Sequence, residues 1–404
     1  MAISDDWCAH RFDHLSPELA LDLHETLARM REDHPVTWSE EHGGFWVVTR
    51  YEDVLRVAQD WQAFSSAQGV SVPETGKMVV PAIPEHLDPP LHRTYKRLIN
   101  AHFTPAVVGT YEAPTRELVT RLIDEFVEAG SCDFMADFAR PFPGLAFFDL
   151  VLGAPPDEVA EINRLATTAS VSTNPGARVA WRSMFQWITD FVADRRRRPP
   201  RGDVVDAVLA AEIEGRPITD DEIIGVVQLL ILGGLDTTAG ALGQVMIRFT
   251  REPDIPELLR ARPDLMGAAV EELLRLEPPF IAIARTATCD TEVGGQAIRK
   301  GDKVLIYWAS ANRDEAEFAC PAHFDLGRPS NRHLAFGAGP HRCAGSNLAR
   351  LNVRVALEEL VGRLDDVRLQ EGVEPLPFHS ALNRAPLSVP ITFTPGVRAL
   401  AVSG

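Results

Sequence analysis

The chain has 404 residues, of which 45% are hydrophobic and 24% charged, with no low-complexity tract; this composition builds a globular core and excludes a disordered or fibrous chain. A formal charge of −17 argues against nucleic acid and anionic membrane as partners unless a compact basic patch overrides it. Residues 1–10 lack the features of a signal peptide, no uninterrupted apolar run of spanning length follows, and five dispersed cysteines without a CxxC pair suit reduced thiols, so a cytoplasmic protein is expected.

The first helix opens at Ser16-Pro17, an N-cap residue followed by proline at the first helical position, with Leu19, Leu23, Leu27 and Met30 on one face. Residues 36–38 and 45–48 flank Glu41-His42-Gly43-Gly44 and read as a hairpin, and residues 51–59 as a helix. Residues 64–90 carry Pro73, Pro81, Pro84, Pro89 and Pro90 and little periodicity; so long a connection is usually functional, and a substrate lid is expected there. From residue 91 to about 252 the pattern is helical, broken at Pro141, at Pro155-Pro156 and at residues 198–200, where the basic run from Arg195 reads as a solvated turn. Within it, Thr219-Asp220-Asp221-Glu222 is a capping box, Ile218 and Ile223 form a hydrophobic staple, and no proline follows until Pro253. The spacing predicts a helix of about thirty residues and about 45 Å, apolar all round in its middle and therefore buried. A second helix ends before Pro278-Pro279, β-type segments at 281–288, 291–298 and 304–308 form a minor sheet, and a loop-rich stretch runs to Gly345. A helix to about residue 362 and a closing hairpin at 381–393 complete a mainly α fold with small β-sheets, read as one domain over residues 1–404.

Two clusters carry chemistry. Gly233, Gly234, Asp236 and Thr237 interrupt the apolar middle of the long helix; each glycine costs about 1 kcal/mol against alanine, and a buried acid needs partners, so a functional cause is indicated. The alternative is a Thr237 hydroxyl bonded back to a carbonyl of its own helix. The second cluster is Phe336-Gly337-Ala338-Gly339-Pro340-His341-Arg342-Cys343-Ala344-Gly345, which sets Cys343 at a helix entrance, where backbone N–H groups and the helix dipole favour a thiolate. Its glycines permit close approach to a flat bulky group, and His341 and Arg342 offer donors to anionic substituents on that group, as a haem requires. The alternative is a buried structural cysteine in a glycine-rich turn. Cys8, His10 and His14 are close enough in sequence for a metal site but read as ordinary surface.

This ten-residue segment resembles the haem-binding loop of the cytochrome P-450 family at every fixed position, and the rest of the chain agrees in order and spacing. The resemblance implies haem b (iron protoporphyrin IX) with Cys343 as axial ligand to the iron, in a single-domain fold whose long central helix lies over the haem, with no fused reductase. It implies a Glu-Arg-Arg triad of Glu272, Arg275 and Arg328 with a structural role, and propionate partners at His92, Lys96, Arg285, His333 and His341. Position 96 departs from the family's usual arginine, and a lysine gives a point charge where arginine gives a fork. Gly233 and Gly234 are expected to open the helix for dioxygen, and Asp236 and Thr237 to deliver protons. Leu229, Leu232, Ile281, Ile283 and Leu382 are expected to line the substrate pocket. The implied activity is insertion of one oxygen atom from O2 into a small or medium hydrophobic substrate, by hydroxylation or O-dealkylation. Electrons would come from NAD(P)H through a ferredoxin and ferredoxin reductase or an equivalent, docking on cations around Cys343, among them Arg93, Arg342, Arg350 and Arg354. A peroxide-using or otherwise atypical haem-thiolate enzyme, or a haem sensor without turnover, is the alternative.

Overall fold

In this computed structural model the structure describes residues 3–73, 80–170, 175–375 and 382–400. The chain divides into two compact units, each assembled from discontinuous segments.

The first unit comprises Met1–Arg97, Glu272–Cys343 and His379–Arg384. Its frame is a five-stranded mixed sheet in the order Val36–Ser39, Phe45–Val48, Lys303–Tyr307, Ala282–Ala287, Phe64–Ser65. The expected hairpin at Glu41–Gly43 pairs Val36 with Val48 and Ser39 with Phe45. The β-type segment at 304–308 lies parallel to Phe45–Val48 and antiparallel to Ala282–Ala287, so it belongs to the same sheet as the N-terminal hairpin. Alternation of side chains sends Phe45, Val47 and Leu305 into one apolar cluster and Val48, Val304 and Ile306 into the other, so the sheet is covered on both faces. The first predicted helix is two helices, Pro17–Leu21 and Leu23–Asp33, because Asp22 leaves the helical region and serves as C-cap of one and N-cap of the next. Its apolar face survives the break, since Leu19, Leu23, Leu27 and Met30 are all buried.

The second unit comprises Leu98–Glu271, Ala344–Phe378 and Ala385–Gly404. It is built around the helix Asp220–Arg251, 32 residues and about 48 Å long. Both halves of its capping box form: Thr219 Oγ1 accepts from Glu222 N at 3.3 Å, and Glu222 Oε2 accepts from Thr219 N at 2.8 Å. Helices Pro141–Ala146, Val159–Ser170, Ala177–Arg195 and Ser346–Arg363 pack around it. Pro141 opens a helix at its first position instead of ending one, as its missing N–H permits. Among the described residues this long helix alone has the length and composition to cross a membrane, but 67% of its most apolar window is buried within the protein.

Two expectations fail here. The closing hairpin is a single strand, Pro390–Thr394, lying between Asp365–Leu369 and Ser131–Asp133; residue 381 lies outside the described residues. Arg195 is buried, not solvated: its guanidinium pairs with Asp203 at 2.9 Å and Asp206 at 2.6 Å and donates to the Leu152 carbonyl.

Candidate functional site

Cys343 is exposed and outside any disulfide. Its N–H donates to the Phe336 carbonyl at 2.8 Å, closing the loop back on itself, and Gly337 N donates to Leu334 O at 2.9 Å. Gly337 and Gly339 both sit at φ +67°, where a side chain is strained. A Cβ on Gly339 would lie 2.5 Å from the Ala58 carbonyl oxygen, so this glycine admits the end of the helix Tyr51–Gln59, which is a closer reason for it than a bound flat group. Gly345 caps the helix Ser346–Arg363 with no side-chain bond, so Cys343 lies two residues ahead of the N-cap.

The triad assembles. Arg275 is fully buried and grips both oxygens of Glu272 at 2.8 Å, Arg328 Nε reaches Glu272 Oε1 at 2.9 Å, and Asp325 N adds a third donor to that oxygen. Burial pushes the Glu272 carboxyl upward, but these donors outweigh it and hold it below the usual range. The side chains of Asn331 and Phe318 complete the cluster, the first donating to Glu272 and the second lying under both guanidinium groups at 5.1 and 5.9 Å. From this cluster a chain of bonds runs to the cysteine loop: Arg275 donates to the Asn312 carbonyl at 2.8 Å, and Asn312 Oδ1 accepts from Leu334 N at 2.6 Å. No sequence pattern points to Asn312, Asn331 or Phe318, since a single buried asparagine or phenylalanine has no periodicity to betray it.

Around the loop the first unit gathers basic side chains, of which Arg285 and His92 are buried and Lys96 and His341 half-buried. Arg285 is 2% exposed, donates to the adjacent Ala284 carbonyl, and makes no ion pair among the described residues. Burial lowers it to about 10 against the pull of Glu85 and Asp88. Lys96 Nζ donates to the carbonyls of Pro340 and Arg342, and burial lowers it to about 8 although Cys343 opposes the shift. The rings of His92 and His341 stand 4.2 Å apart, lowered to about 4 and about 2, in each case chiefly by burial. Buried His92 Nδ1 has no hydrogen-bond partner among the described residues. A buried guanidinium without a carboxylate is costly. These residues therefore fit a group that brings two carboxylates, as the propionates of a haem do. His333 is less engaged: its Nδ1 accepts from Ala335 N at 3.2 Å, and its ring stands 5.9 Å from Phe336.

In the second unit the middle of the long helix, residues 223–247, is buried except at Leu229, Leu232, Gly233, Gly234, Asp236 and Thr237; all but Gly234 fall on one helical face and form an accessible stripe. The two glycines differ. A Cβ on Gly233 would meet nothing within 4 Å, whereas one on Gly234 would lie 2.7 Å from the Phe147 ring, so packing explains Gly234. The Thr237 hydroxyl donates to the Gly233 carbonyl at 3.0 Å, the back-bond weighed as the alternative. Its oxygen keeps its lone pairs on the accessible stripe.

Of the expected pocket residues, Ile281 and Ile283 are buried in the first unit, and Ile281 N donates to the Leu382 carbonyl at 2.7 Å. Val70 of the expected lid is tied to the sheet by Ala284 N at 2.8 Å; residues 74–79 of that lid lie outside the described residues. The docking cations also sort. Arg350 is held by Glu271, and Arg354 by Glu112 and Glu358, so neither is available as expected. Arg93, Arg97 and Arg342 are exposed and make no ion pair among the described residues.

The mainly helical fold is shared with solved structures of cytochromes P-450. A cytochrome P-450 of Mycobacterium marinum in complex with pseudoionone superposes with a TM-score of 0.87 at 29% identity over 97% of this chain and 99% of that one. A cytochrome P-450 of Chondromyces apiculatus gives 0.85 at 30% identity over 97% and 100%. The cytochrome P-450 family model matches residues 260–390. The nocardicin C N-oxygenase of Nocardia uniformis subsp. tsuyamanensis is 36% identical over 93% of this chain and 96% of its own length. The linalool 8-monooxygenase of Pseudomonas putida is 33% identical over 84% and 88%. The molecule is thus a haem-dependent monooxygenase, which uses O2, an organic substrate and a redox partner. The chain belongs to the cytochrome P-450 family.

Proposed function

We propose that Cys343 is the axial thiolate of a haem b and that this enzyme oxygenates a small or medium hydrophobic substrate, by hydroxylation or O-dealkylation. The observation that carries this reading is the cysteine loop with the basic side chains Lys96, His92 and His341 and the buried Arg285, which makes no ion pair among the described residues. When bound, the haem supplies the activation of dioxygen and the insertion of one of its atoms into substrate. The protein's part is positioning and proton supply. Arg285, His92, His341 and Lys96 would hold the propionates, with His333 as a further donor; the Glu272 cluster, acting through Asn312, fixes the loop that would present the thiolate. Asp236 and Thr237 move protons along the accessible stripe of the long helix, Thr237 by accepting a bond on the oxygen whose own proton goes to Gly233.

The apolar character of Leu229, Leu232, Ile281, Ile283 and Leu382 supports a hydrophobic substrate, as do the linalool of one relative's name and the pseudoionone of one structure's. Electrons arrive from NAD(P)H through a ferredoxin-type protein that docks on the exposed cations Arg93, Arg97 and Arg342, in a cytoplasmic setting. The test is turnover with a ferredoxin, its reductase, NAD(P)H and isotope-labelled dioxygen. Product carrying one labelled oxygen atom is expected; oxidation with peroxide alone and none with reductant and dioxygen would contradict the reading.

A further inference from the structure

We infer that Asp13, His14 and His42 form a binding site for a zinc-class divalent cation, separate from the haem chemistry. One ligand atom from each of the three side chains lies within 4.8 Å of the other two. The donors come from two segments that the fold holds firmly. Residues 10–15 are tied to the N-terminal hairpin by Glu40 N to His10 O at 2.9 Å and by Ser39 Oγ to Phe12 O at 2.7 Å. Asp13 is set by Leu15 N, which donates to its Oδ1 at 2.8 Å. His42 sits in the hairpin turn at φ +53°, a left-handed conformation that costs a non-glycine residue energy and turns its ring back onto Asp13.

His42 Nε2 lies 2.7 Å from Asp13 Oδ1. An ion pair accounts for those two residues, and a third imidazole is brought to them by contacts of its own. His14 is 2% exposed, its ring stands 5.3 Å from that of His42 and 5.3 Å from that of Phe45, and its Nε2 lies 2.5 Å from the Val72 carbonyl oxygen. A nitrogen that close to a carbonyl carries the proton, which leaves the lone pair on Nδ1, the atom the proposal assigns to the cation. Histidine ligands are oriented in this way, with one nitrogen donating to a backbone carbonyl and the other on the metal.

Two imidazoles and one carboxylate suit zinc-class ions better than magnesium or calcium, and they leave a fourth tetrahedral position for water or an anion. Bonds of about 2.0–2.1 Å place tetrahedral ligand atoms roughly 3.3 Å apart, so the His42–Asp13 pair must open by about half an ångström. Both side chains are partly exposed, at 21% and 29%, and have room to do so. Glu41 does not compete for the ion, because its carboxylate is paired with Arg11 at 3.6 Å. The bound ion would join the 10–15 segment to the hairpin turn and, through the His14 ring, to Val72.

The experiment is calorimetric titration of the chelator-stripped, haem-loaded enzyme with zinc chloride, beside His42→Asn and Asp13→Asn. Asparagine tolerates the left-handed turn and keeps the acceptor for Leu15 N, so both variants are designed to fold; their unchanged absorbance spectrum checks this. One equivalent bound by the wild type, roughly tenfold or more weaker in each variant, is expected, with zinc raising the melting temperature of the wild type only. No binding by the wild type, or equal binding in both variants through an adventitious ion elsewhere, overturns the proposal.

Discussion

Thr237 gives its proton to the Gly233 carbonyl, so a loss of its hydroxyl removes an acceptor from the open stripe while changing little of the packing. Thr237→Ala is therefore expected to keep haem and substrate binding but to divert most NAD(P)H oxidation to peroxide, and Thr237→Ser to restore coupling; equal coupling in all three would assign Thr237 to the helix alone. The neighbouring glycines separate two costs that sequence could not tell apart. Gly233→Ala meets no atom and is expected to raise the unfolding free energy by about 0.5–1 kcal/mol while perturbing the substrate-induced spectral shift. Gly234→Ala drives a methyl group into Phe147 and is expected to cost about 1–3 kcal/mol. Urea unfolding of the two variants measures both, and the same sign for both would contradict the distinction. His24 adds a pH dependence. Burial, then Arg384, lowers it to about 3, so the stability gained by keeping it neutral is full above about 6.5 and is lost as pH falls from there toward 3. At pH 5 the loss is at most about 2 kcal/mol, less what its 23% exposed ring regains from solvent, and His24→Gln is expected to flatten that part of the profile.

Elements show where tertiary structure overrides local pattern. The long helix was legible to within a residue because its capping box and its freedom from proline are local signals, and Thr219 and Glu222 satisfy both halves. The N-terminal hairpin and the helix Tyr51–Gln59 were legible for the same reason. Arg195 was misread because its burial is decided by Asp203 and Asp206, which a turn brings back onto it, and a run of four arginines looks solvated whichever member is inside. The C-terminal strand was misread because its partners, Ser131–Asp133 and Asp365–Leu369, are remote in sequence or masked by polar residues. In the candidate site, Glu272, Arg275 and Arg328 were legible through the family resemblance, since their spacing alone is common on helix surfaces, whereas the Asn312 link to the cysteine loop is purely tertiary. That link makes a prediction. Glu272→Gln leaves Arg275 buried without its counter-charge and is expected to cost about 3–5 kcal/mol, with faster haem loss. The same carboxylate is held below its ordinary range, so its stabilisation is full above about pH 4.3 and is lost as acid drives the pH lower. An unfolding midpoint for Glu272→Gln equal to the wild type would contradict this account.

At the scale of the whole molecule, a chain of net charge −17 must attract its electron donor through a local patch. With Arg350 and Arg354 occupied by Glu271 and by Glu112 and Glu358, the exposed Arg93, Arg97 and Arg342 remain of the expected docking cations. Arg93→Glu is expected to slow electron transfer from an acidic ferredoxin, and added salt to slow the wild type more than the variant. A wild-type rate indifferent to salt would place the donor elsewhere. The central claim, that Cys343 supplies the thiolate to a haem, is tested most directly by the absorbance of the dithionite-reduced, carbon monoxide-bound protein. The strongly red-shifted Soret band of thiolate-ligated haem is expected in the wild type and in Cys289→Ser and Cys320→Ser, the variants of the other two exposed cysteines, and is expected to vanish in Cys343→Ser. Persistence of that band in Cys343→Ser would contradict the account.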